Sequence, residues 1–170
     1  MGVERDYDLE PVTAAVIVSS DRVLAQERPD RAGPVAVERL RQAGVGTVSS
    51  TTVAEGQSAV VGAIDEALAT GARLVLVLGG TGFGVGNEAP EAVRSRLAVE
   101  IPGVAEQIRA HGLESTPLSG LSRVVVGVTA RDATGALLVA SPGSVGGVSD
   151  SLDVLVPLLG AVLAQLDETR

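Results

Sequence analysis

A glycine-rich segment after an apolar run is the part of this sequence best suited to binding an anion. The five apolar residues 74–78 predict a strand buried on both faces of a sheet. They lead into Gly79, Gly80, Thr81 and Gly82, where the missing Cβ atoms let the backbone turn sharply and approach a ligand. Pro90 then suits the first turn of a helix. This order indicates an anion-binding crevice, although a plain strand-to-helix connection that binds nothing has the same pattern.

Polar residues also follow the other predicted strands. Ser20 and Asp21 follow the first strand, Glu55 follows the second, and Pro142-Gly143-Ser144 follows the last. Because parallel strands end at one edge of a sheet, we expect the clusters after the first two strands to converge with the glycine-rich segment after the third. Residues 142–144 join them if the last strand is also parallel, and Asp30 could enter the same crevice from its loop. The simpler interpretation is that Ser20, Asp21 and Asp30 cap local backbone and that residues 142–144 only form a turn.

Composition narrows the chemistry. All 13 basic residues are arginine, so a phosphate-binding loop that depends on lysine is excluded. With no cysteine and one histidine, thiolate catalysis, disulfides and a His-rich metal site are excluded as well. The net charge of −8 and the 1% aromatic content argue against binding to single-stranded nucleic acid. Backbone N–H groups, a few arginines and scattered carboxylates suit a phosphorylated ligand with Mg²⁺.

Strands alternate with helices along the chain, which predicts an α/β domain with a mainly parallel sheet. Residues 1–11 form a polar lead-in and residues 12–170 a single domain. The predicted strands are 14–18, 47–53, 74–78, 124–128 and 137–140, the last two forming an antiparallel hairpin at the edge. The first predicted helix has Pro34 early in its first turn, and the others start at Ser58 and at about Pro90, Val104 and Ser149. Residues 19–33 form a polar loop.

The predicted location is the cytoplasm, with no membrane partner. The N-terminus lacks the basic and then apolar pattern of a signal peptide. The most apolar C-terminal run, residues 154–166, contains Pro157 and is shorter than the ~20 residues that a spanning helix needs.

Four motifs, in this order and spacing, resemble a known family over residues 14–166. The family is that of the molybdopterin-binding proteins: the adenylyltransferases of molybdenum cofactor synthesis and the related domains of gephyrin and plant Cnx-type proteins. The motifs are Asp30-Arg31-Ala32-Gly33, Gly79-Gly80-Thr81-Gly82 followed by Ala89-Pro90-Glu91, Leu121-Ser122-Arg123, and Pro142-Gly143-Ser144.

The resemblance implies a three-layer α/β/α fold, a homotrimer and molybdopterin as ligand. It also implies transfer of AMP from Mg-ATP to the terminal phosphate of molybdopterin, and a fused or separate molybdenum-insertion protein as partner. The ligand-binding residues expected from the residues and the resemblance together are Ser20, Asp21, Asp30, Gly33, Gly79, Gly80, Thr81, Gly82, Glu91, Ser122, Arg123, Pro142, Gly143 and Ser144.

Two positions depart from the family pattern. Glu55 and Asn87 stand where active members carry aspartates that organise the metal and the reacting phosphates. The first hypothesis is that the protein is an enzyme, in which Glu55 and Asn87 are catalytic and Glu55 and Glu88 bind Mg²⁺. The alternative is a non-catalytic molybdopterin carrier, because a neutral amide is a poorer Mg²⁺ ligand than a carboxylate. A third hypothesis is a generic nucleotide-binding domain.

Overall fold

A computed structural model describes residues 6–168 of the chain, and residues 1–5 of the predicted lead-in lie outside them. Its centre is a six-stranded sheet with the strand order β2-β1-β3-β6-β5-β4. The strands are β1 (Thr13–Ser19), β2 (Thr47–Val53), β3 (Leu74–Leu78), β4 (Val99–Glu100), β5 (Val125–Val128) and β6 (Leu137–Ser141). The helices are α1 (Asp21–Leu24), α2 (Ala32–Gln42), α3 (Gln57–Ala69), α4 (Ala89–Arg94), α5 (Pro102–Leu113), α6 (Val145–Leu155) and α7 (Leu159–Asp167). Two 3-10 helices span Pro117–Leu121 and Val156–Leu158.

The alternation of leucine and valine along β3 shows how the layers form. Leu74, Leu76 and Leu78 pack into the core shared with α2, α5, α6 and α7. Val75 and Val77 pack on the opposite face, against α3 and α4. Because successive side chains of a strand point to opposite faces, this strand is buried between two helix layers. The three-layer α/β/α architecture is therefore confirmed.

The sheet is parallel except at β5. β1 pairs in parallel with β2 and β3, and β3 pairs in parallel with β6. β5 runs antiparallel to β6, as the predicted hairpin requires. Beyond it lies β4, which the sequence analysis missed because two residues carry no periodic signal. Gly127 lets β4 approach β5, since a Cβ built on Gly127 would lie 2.4 Å from the carbonyl oxygen of Val99.

One α-helix was missed, and four predicted helices begin one to four residues earlier than expected, α4 at Ala89 and α5 at Pro102 among them. α2 begins at Ala32, which leaves Pro34 early in its first turn, as predicted. The predicted polar loop contains the short helix α1, whose first turn is capped by the Ser20 hydroxyl, which accepts a hydrogen bond from Val23 N. Helix α3 begins at Gln57 rather than Ser58, with Gly56 as its N-cap. Helix α6 begins at Val145, four residues before the predicted Ser149, because the Ser144 hydroxyl caps it by accepting a hydrogen bond from Gly147 N.

The C-terminal apolar run, residues 154–166, is part of a longer helical segment than the sequence indicated. α6, the 3-10 turn and α7 continue one another from Val145 to Asp167, which is long and apolar enough to cross a membrane by length and composition alone. A core helix passes the same test, and the structure shows this role. Its buried side chains pack on the sheet at Val148, Leu152, Leu155, Leu159, Leu163 and Leu166.

An ionic cluster joins α2, α5 and α6. The Asp153 carboxylate accepts a hydrogen bond from Arg39 Nη2 at 2.8 Å and lies 2.9 Å from His111 Nε2. The carboxylates of Asp150 and Glu114 lie 3.6 Å and 3.9 Å from the His111 ring. The hydrogen bond to Asp153 is the main cause of the raised pKa of His111. The pKa of Asp153 is lowered mainly by its hydrogen bond with Arg39 and, to a smaller extent, by that with His111. Protonated His111 therefore ties α5 to α6.

We predict that His111 stabilises the fold more at acidic than at alkaline pH. Because folding raises its pKa, its contribution is complete below the ordinary value of 6.5 and is lost as pH rises through the raised value. Urea unfolding of the wild type and of His111→Gln, measured from pH 5.5 to 8.5, checks this. The difference in free energy of unfolding should shrink with rising pH, and a difference independent of pH would refute the prediction.

Candidate functional site

The sheet register brings the ends of four strands to one edge. Ser19 pairs with Val53, Val18 pairs with Leu78, and Leu78 pairs with Ser141. The segments after β1, β2, β3 and β6 therefore start side by side. The direction of β6, which the sequence left open, is parallel, and it adds residues 142–144 to this edge. Since β5 is antiparallel, the segment before it also lies here.

The turn after β3 presents a row of unpaired backbone N–H groups. Gly79 and Gly80 have φ values of +99° and +70°, which favour glycine. Gly79 N donates to the carbonyl oxygen of Ser141 at 3.0 Å. In residues 6–168, no acceptor is recorded for the next three N–H groups, those of Gly80, Thr81 and Gly82. Consecutive free N–H groups in such a turn form a concave site for an anion such as phosphate.

Two glycines allow this turn to lie close to the segment after β6. A Cβ built on Gly143 would lie 2.9 Å from the Cα of Gly79, and a Cβ built on Gly79 would lie 2.7 Å from the carbonyl oxygen of Ser19. Side chains at either position would therefore force the backbones apart. The close approach brings the N-terminus of α6, which Ser144 caps, beside the glycine turn.

Arg123 holds the loop that follows the glycine turn. Its Nε donates to the carbonyl oxygen of Gly82 at 2.8 Å and its Nη2 to that of Asn87 at 2.6 Å. Its Nη1 forms an ion pair of 2.5 Å with Glu91. The bond to Arg123 is the main cause that lowers the pKa of Glu91. Arg123 and Glu91, both predicted to contact ligand, thus position the loop.

The backbone of Ser122 and Arg123 is fastened to the same turn. Arg123 N donates to the carbonyl oxygen of Thr81 at 3.0 Å, and the Ser122 hydroxyl donates to the Thr81 hydroxyl at 3.2 Å. The Leu-Ser-Arg motif and the glycine turn, 40 residues apart in sequence, therefore form one unit.

Three predicted carboxylates hold backbone groups. Asp21 Oδ1 accepts a hydrogen bond from Glu55 N at 3.0 Å, which links the ends of β1 and β2. Glu88 Oε2 accepts from Gln57 N at 2.8 Å, so Glu88 caps α3 from a distant loop. Asp30 Oδ1 accepts from Gly33 N at 2.9 Å at the start of α2. The capping interpretation of Asp30 is thus correct.

The close packing of Asp30 explains why position 33 is glycine, because a Cβ on Gly33 would lie 2.2 Å from the Asp30 carboxylate. Ser20 likewise has a local role, since its hydroxyl caps α1 and lies 3.4 Å from Arg28 Nη2.

Glu55 and Asn87 flank the loop that Arg123 holds. A Cβ built on Gly86 would lie 3.8 Å from the Cβ of Glu55, and one built on Gly82 would lie 2.8 Å from the Asn87 side-chain oxygen. No hydrogen bond or ion pair is recorded for the Glu55 carboxylate within the described part of the chain.

The carboxylates near the glycine turn do not form a ready-made metal cluster. Within residues 6–168, the one group of three acidic or histidine side chains with ligand atoms within 4.8 Å of one another is His111, Asp150 and Asp153. Mg²⁺, however, binds through one or two carboxylates together with phosphate oxygens. Glu55 and Glu88 are the two carboxylates that the sequence analysis expects in that role, and one oxygen of Glu88 is already bonded to Gln57 N.

A cavity of about 360 Å³ lies between α5, the 3-10 helix Pro117–Leu121 and the start of α6. Ser122, Pro142 and Ser144 line it, as the resemblance implies. The cavity also has polar lining residues that the sequence analysis missed. Arg109 lies on α5, Ser149 and Asp150 lie on α6, and Ser115, Thr116 and Ser119 lie in the connection after α5, which has no glycine-rich or periodic signal. A larger cavity, of about 910 Å³, involves β4 and the loop after β5 and includes none of the predicted site residues.

We predict that Arg123→Ala loosens the glycine loop. The loss of hydrogen bonds to Gly82, Asn87 and Glu91 should lower the free energy of unfolding by about 1–3 kcal/mol. It should also speed amide hydrogen exchange in residues 80–87. Arg96→Ala is the matched control, because Arg96 pairs with Asp65 outside this loop. Equal exchange in residues 80–87 of both variants would show that Arg123 does not hold the loop.

Comparison with known proteins agrees with this geometry. A family model described as "Probable molybdopterin binding domain" matches residues 15–161. The chain is 37% identical over 158 residues to a molybdenum cofactor biosynthesis bifunctional protein of Synechococcus elongatus, covering 93% of this chain and 48% of that protein. It thus spans about half the length of that relative.

Two further relatives match along nearly their whole length. A molybdopterin adenylyltransferase of Pyrococcus furiosus is 29% identical over 158 residues, which cover 91% of this chain and 92% of that protein. The solved structure of the molybdopterin biosynthesis Mog protein from Mycobacterium ulcerans has 37% identity and a TM-score of 0.82, covering 91% of this chain and 96% of that one. The family model, the relatives and the fold agree, and the chain belongs to the molybdopterin-binding domain family of molybdenum cofactor biosynthesis proteins.

Proposed function

We propose that this protein binds molybdopterin and transfers AMP from Mg-ATP to its terminal phosphate, releasing pyrophosphate. The observation that carries the proposal is the row of three free N–H groups at Gly80, Thr81 and Gly82 in a chain without lysine. They offer phosphate a binding site made of backbone alone. The name of the Pyrococcus furiosus relative, a molybdopterin adenylyltransferase, supports the same activity.

The cavity beside the turn suits the pterin part of molybdopterin. Its volume of about 360 Å³ lies within the range of ~300–1,000 Å³ typical of small-molecule sites. Its hydroxyl groups, with Arg109 and Asp150, supply donors and acceptors for a ring system rich in hydrogen-bonding atoms. The terminal phosphate of a ligand bound here would point towards the glycine turn, because Ser122 lines the cavity and is bonded to Thr81.

The reaction needs a phosphate oxygen of molybdopterin to bond to the α-phosphorus of ATP while the bond from that phosphorus to pyrophosphate breaks. The N–H groups of the turn would stabilise the charge on the phosphate oxygens. Arg123 would keep the turn in place, and Glu55 and Glu88 would hold the cation. Mg²⁺, when bound, neutralises phosphate charge.

A molybdopterin carrier without catalytic activity is the second candidate, and Asn87 favours it. Its neutral amide stands where active members of the family carry an aspartate, and Glu88 already uses one oxygen to cap α3. Such a protein would hold the same ligand in the same cavity and lack only the metal-dependent step. A homotrimer, a cytoplasmic location and a molybdenum-insertion partner are further proposals, which rest on the family resemblance.

We predict that Asn87→Asp raises the turnover of molybdopterin and Mg-ATP on the order of 10-fold, because it adds a carboxylate beside the reacting phosphates. Adenylyl-molybdopterin formation and pyrophosphate release are the measurements. Gln165→Glu is the control, since it adds the same charge on α7, far along the chain from the glycine turn.

The two candidates differ in the outcome. Turnover by the wild type that rises in Asn87→Asp and falls in Glu55→Gln supports the enzyme. Molybdopterin binding without turnover in the wild type and in Asn87→Asp would establish the carrier instead.

A further inference from the structure

Phe83 is a large apolar residue that the fold leaves in solvent. Its exposed fraction is 77%, although it follows directly after the glycine turn. Glycines flank it at positions 82 and 84, and the loop around it is fixed because Arg123 binds the carbonyl oxygens of Gly82 and Asn87. The backbone on either side of Phe83 is thus held in place, while the ring itself packs in neither core cluster.

Aromatic rings are scarce in this protein. The chain has one phenylalanine, one tyrosine and no tryptophan. Tyr7 packs against the core and its hydroxyl donates to Asp167 on α7, so it is already engaged elsewhere. Phe83 is therefore the aromatic side chain that a planar ligand at this edge could stack on.

The position of Phe83 matches the purine of a nucleotide better than the pterin. The pterin suits the hydroxyl-lined cavity, which includes Ser122 and Ser144 and does not include Phe83. The loop side of the turn instead combines the free N–H groups of residues 80–82 with one apolar ring. A ligand that carries a phosphate chain and a flat aromatic base matches this combination.

We propose that Phe83 stacks against the purine ring of the nucleotide whose phosphates bind the N–H groups of Gly80, Thr81 and Gly82. This inference rests on the proposed function and adds a residue that selects for an aromatic base. Stacking recognises the flat face of a base and needs no hydrogen bond to its edge.

The test measures the affinity of three probes by calorimetry: Mg-ATP, tripolyphosphate with Mg²⁺, and neopterin. Phe83→Ala should weaken Mg-ATP binding on the order of 10-fold, the effect of losing one stacked ring. It should leave tripolyphosphate binding unchanged. Val85→Ala is the matched control, because Val85 is fully exposed in the same loop but has no ring to stack. Its Mg-ATP affinity should equal that of the wild type.

Phe83→Trp supplies a second readout, since it becomes the single tryptophan of the chain. Its affinity for Mg-ATP should be retained, and its fluorescence should be quenched by Mg-ATP but not by tripolyphosphate. Leu113→Trp, at the end of α5, is the control tryptophan and should not respond.

The failures are distinguishable. If the wild type binds Mg-ATP and Phe83→Ala binds it equally well, the stacking proposal is wrong and the proposed function stands. If neopterin quenches Phe83→Trp and Mg-ATP does not, the ring contacts the pterin and the assignment to the nucleotide is overturned. If the wild type binds no Mg-ATP, the adenylyl transfer proposal fails and the stacking proposal fails with it.

Discussion

The close approach of two backbones, at Gly79 and Gly143, is the constraint on which the rest of the site depends. It exists because β6 pairs in parallel with β3, so that both strands end at the same edge. With no side chain at either position, the glycine turn lies against the start of α6. The cavity and the free N–H groups become neighbours through this contact. A single additional methyl group would separate the two halves of the proposed ligand site.

Most polar residues of the motifs organise the backbone. Arg123 donates hydrogen bonds to two carbonyl oxygens and to Glu91. Glu88 and Asp30 accept hydrogen bonds from N–H groups in the first turns of α3 and α2. What these residues leave unpaired is therefore significant: three N–H groups, the Glu55 carboxylate and the Phe83 ring. In this chain without lysine, the proposed phosphate site consists of backbone N–H groups, and the side chains hold that backbone in place.

The fold was largely predictable because its strongest signals are local. Residues 47–53 and 74–78 have the predicted bounds, since β-branched or apolar runs between turn residues carry a clear strand pattern. β4 was missed because it forms through pairing with β5 and not through its own sequence. The start of α3 was misplaced because the first N–H group of the helix, that of Gln57, is bound by Glu88, 31 residues further along the chain.

The sequence predicted which segments meet at the sheet edge better than it predicted which contacts their side chains make there. The motifs gave the residues that the sheet gathers at one edge, because the carboxyl ends of parallel strands must meet. They could not show that Arg123 and Glu91 bind each other, since that contact depends on the antiparallel direction of β5. Ser115, Thr116 and Ser119 of the cavity lie in a connection whose sequence carries no binding signal. Only the tertiary packing of α5 against α6 reveals them.

The central claim is that phosphate is held by the backbone of the glycine turn. A crystal structure of the protein with Mg²⁺ and ATP tests it most directly. We expect phosphate oxygens within hydrogen-bond distance of the N–H groups of Gly80, Thr81 and Gly82. Phosphates bound elsewhere, for example in the larger cavity near β4, with those three groups left without an acceptor, would contradict it.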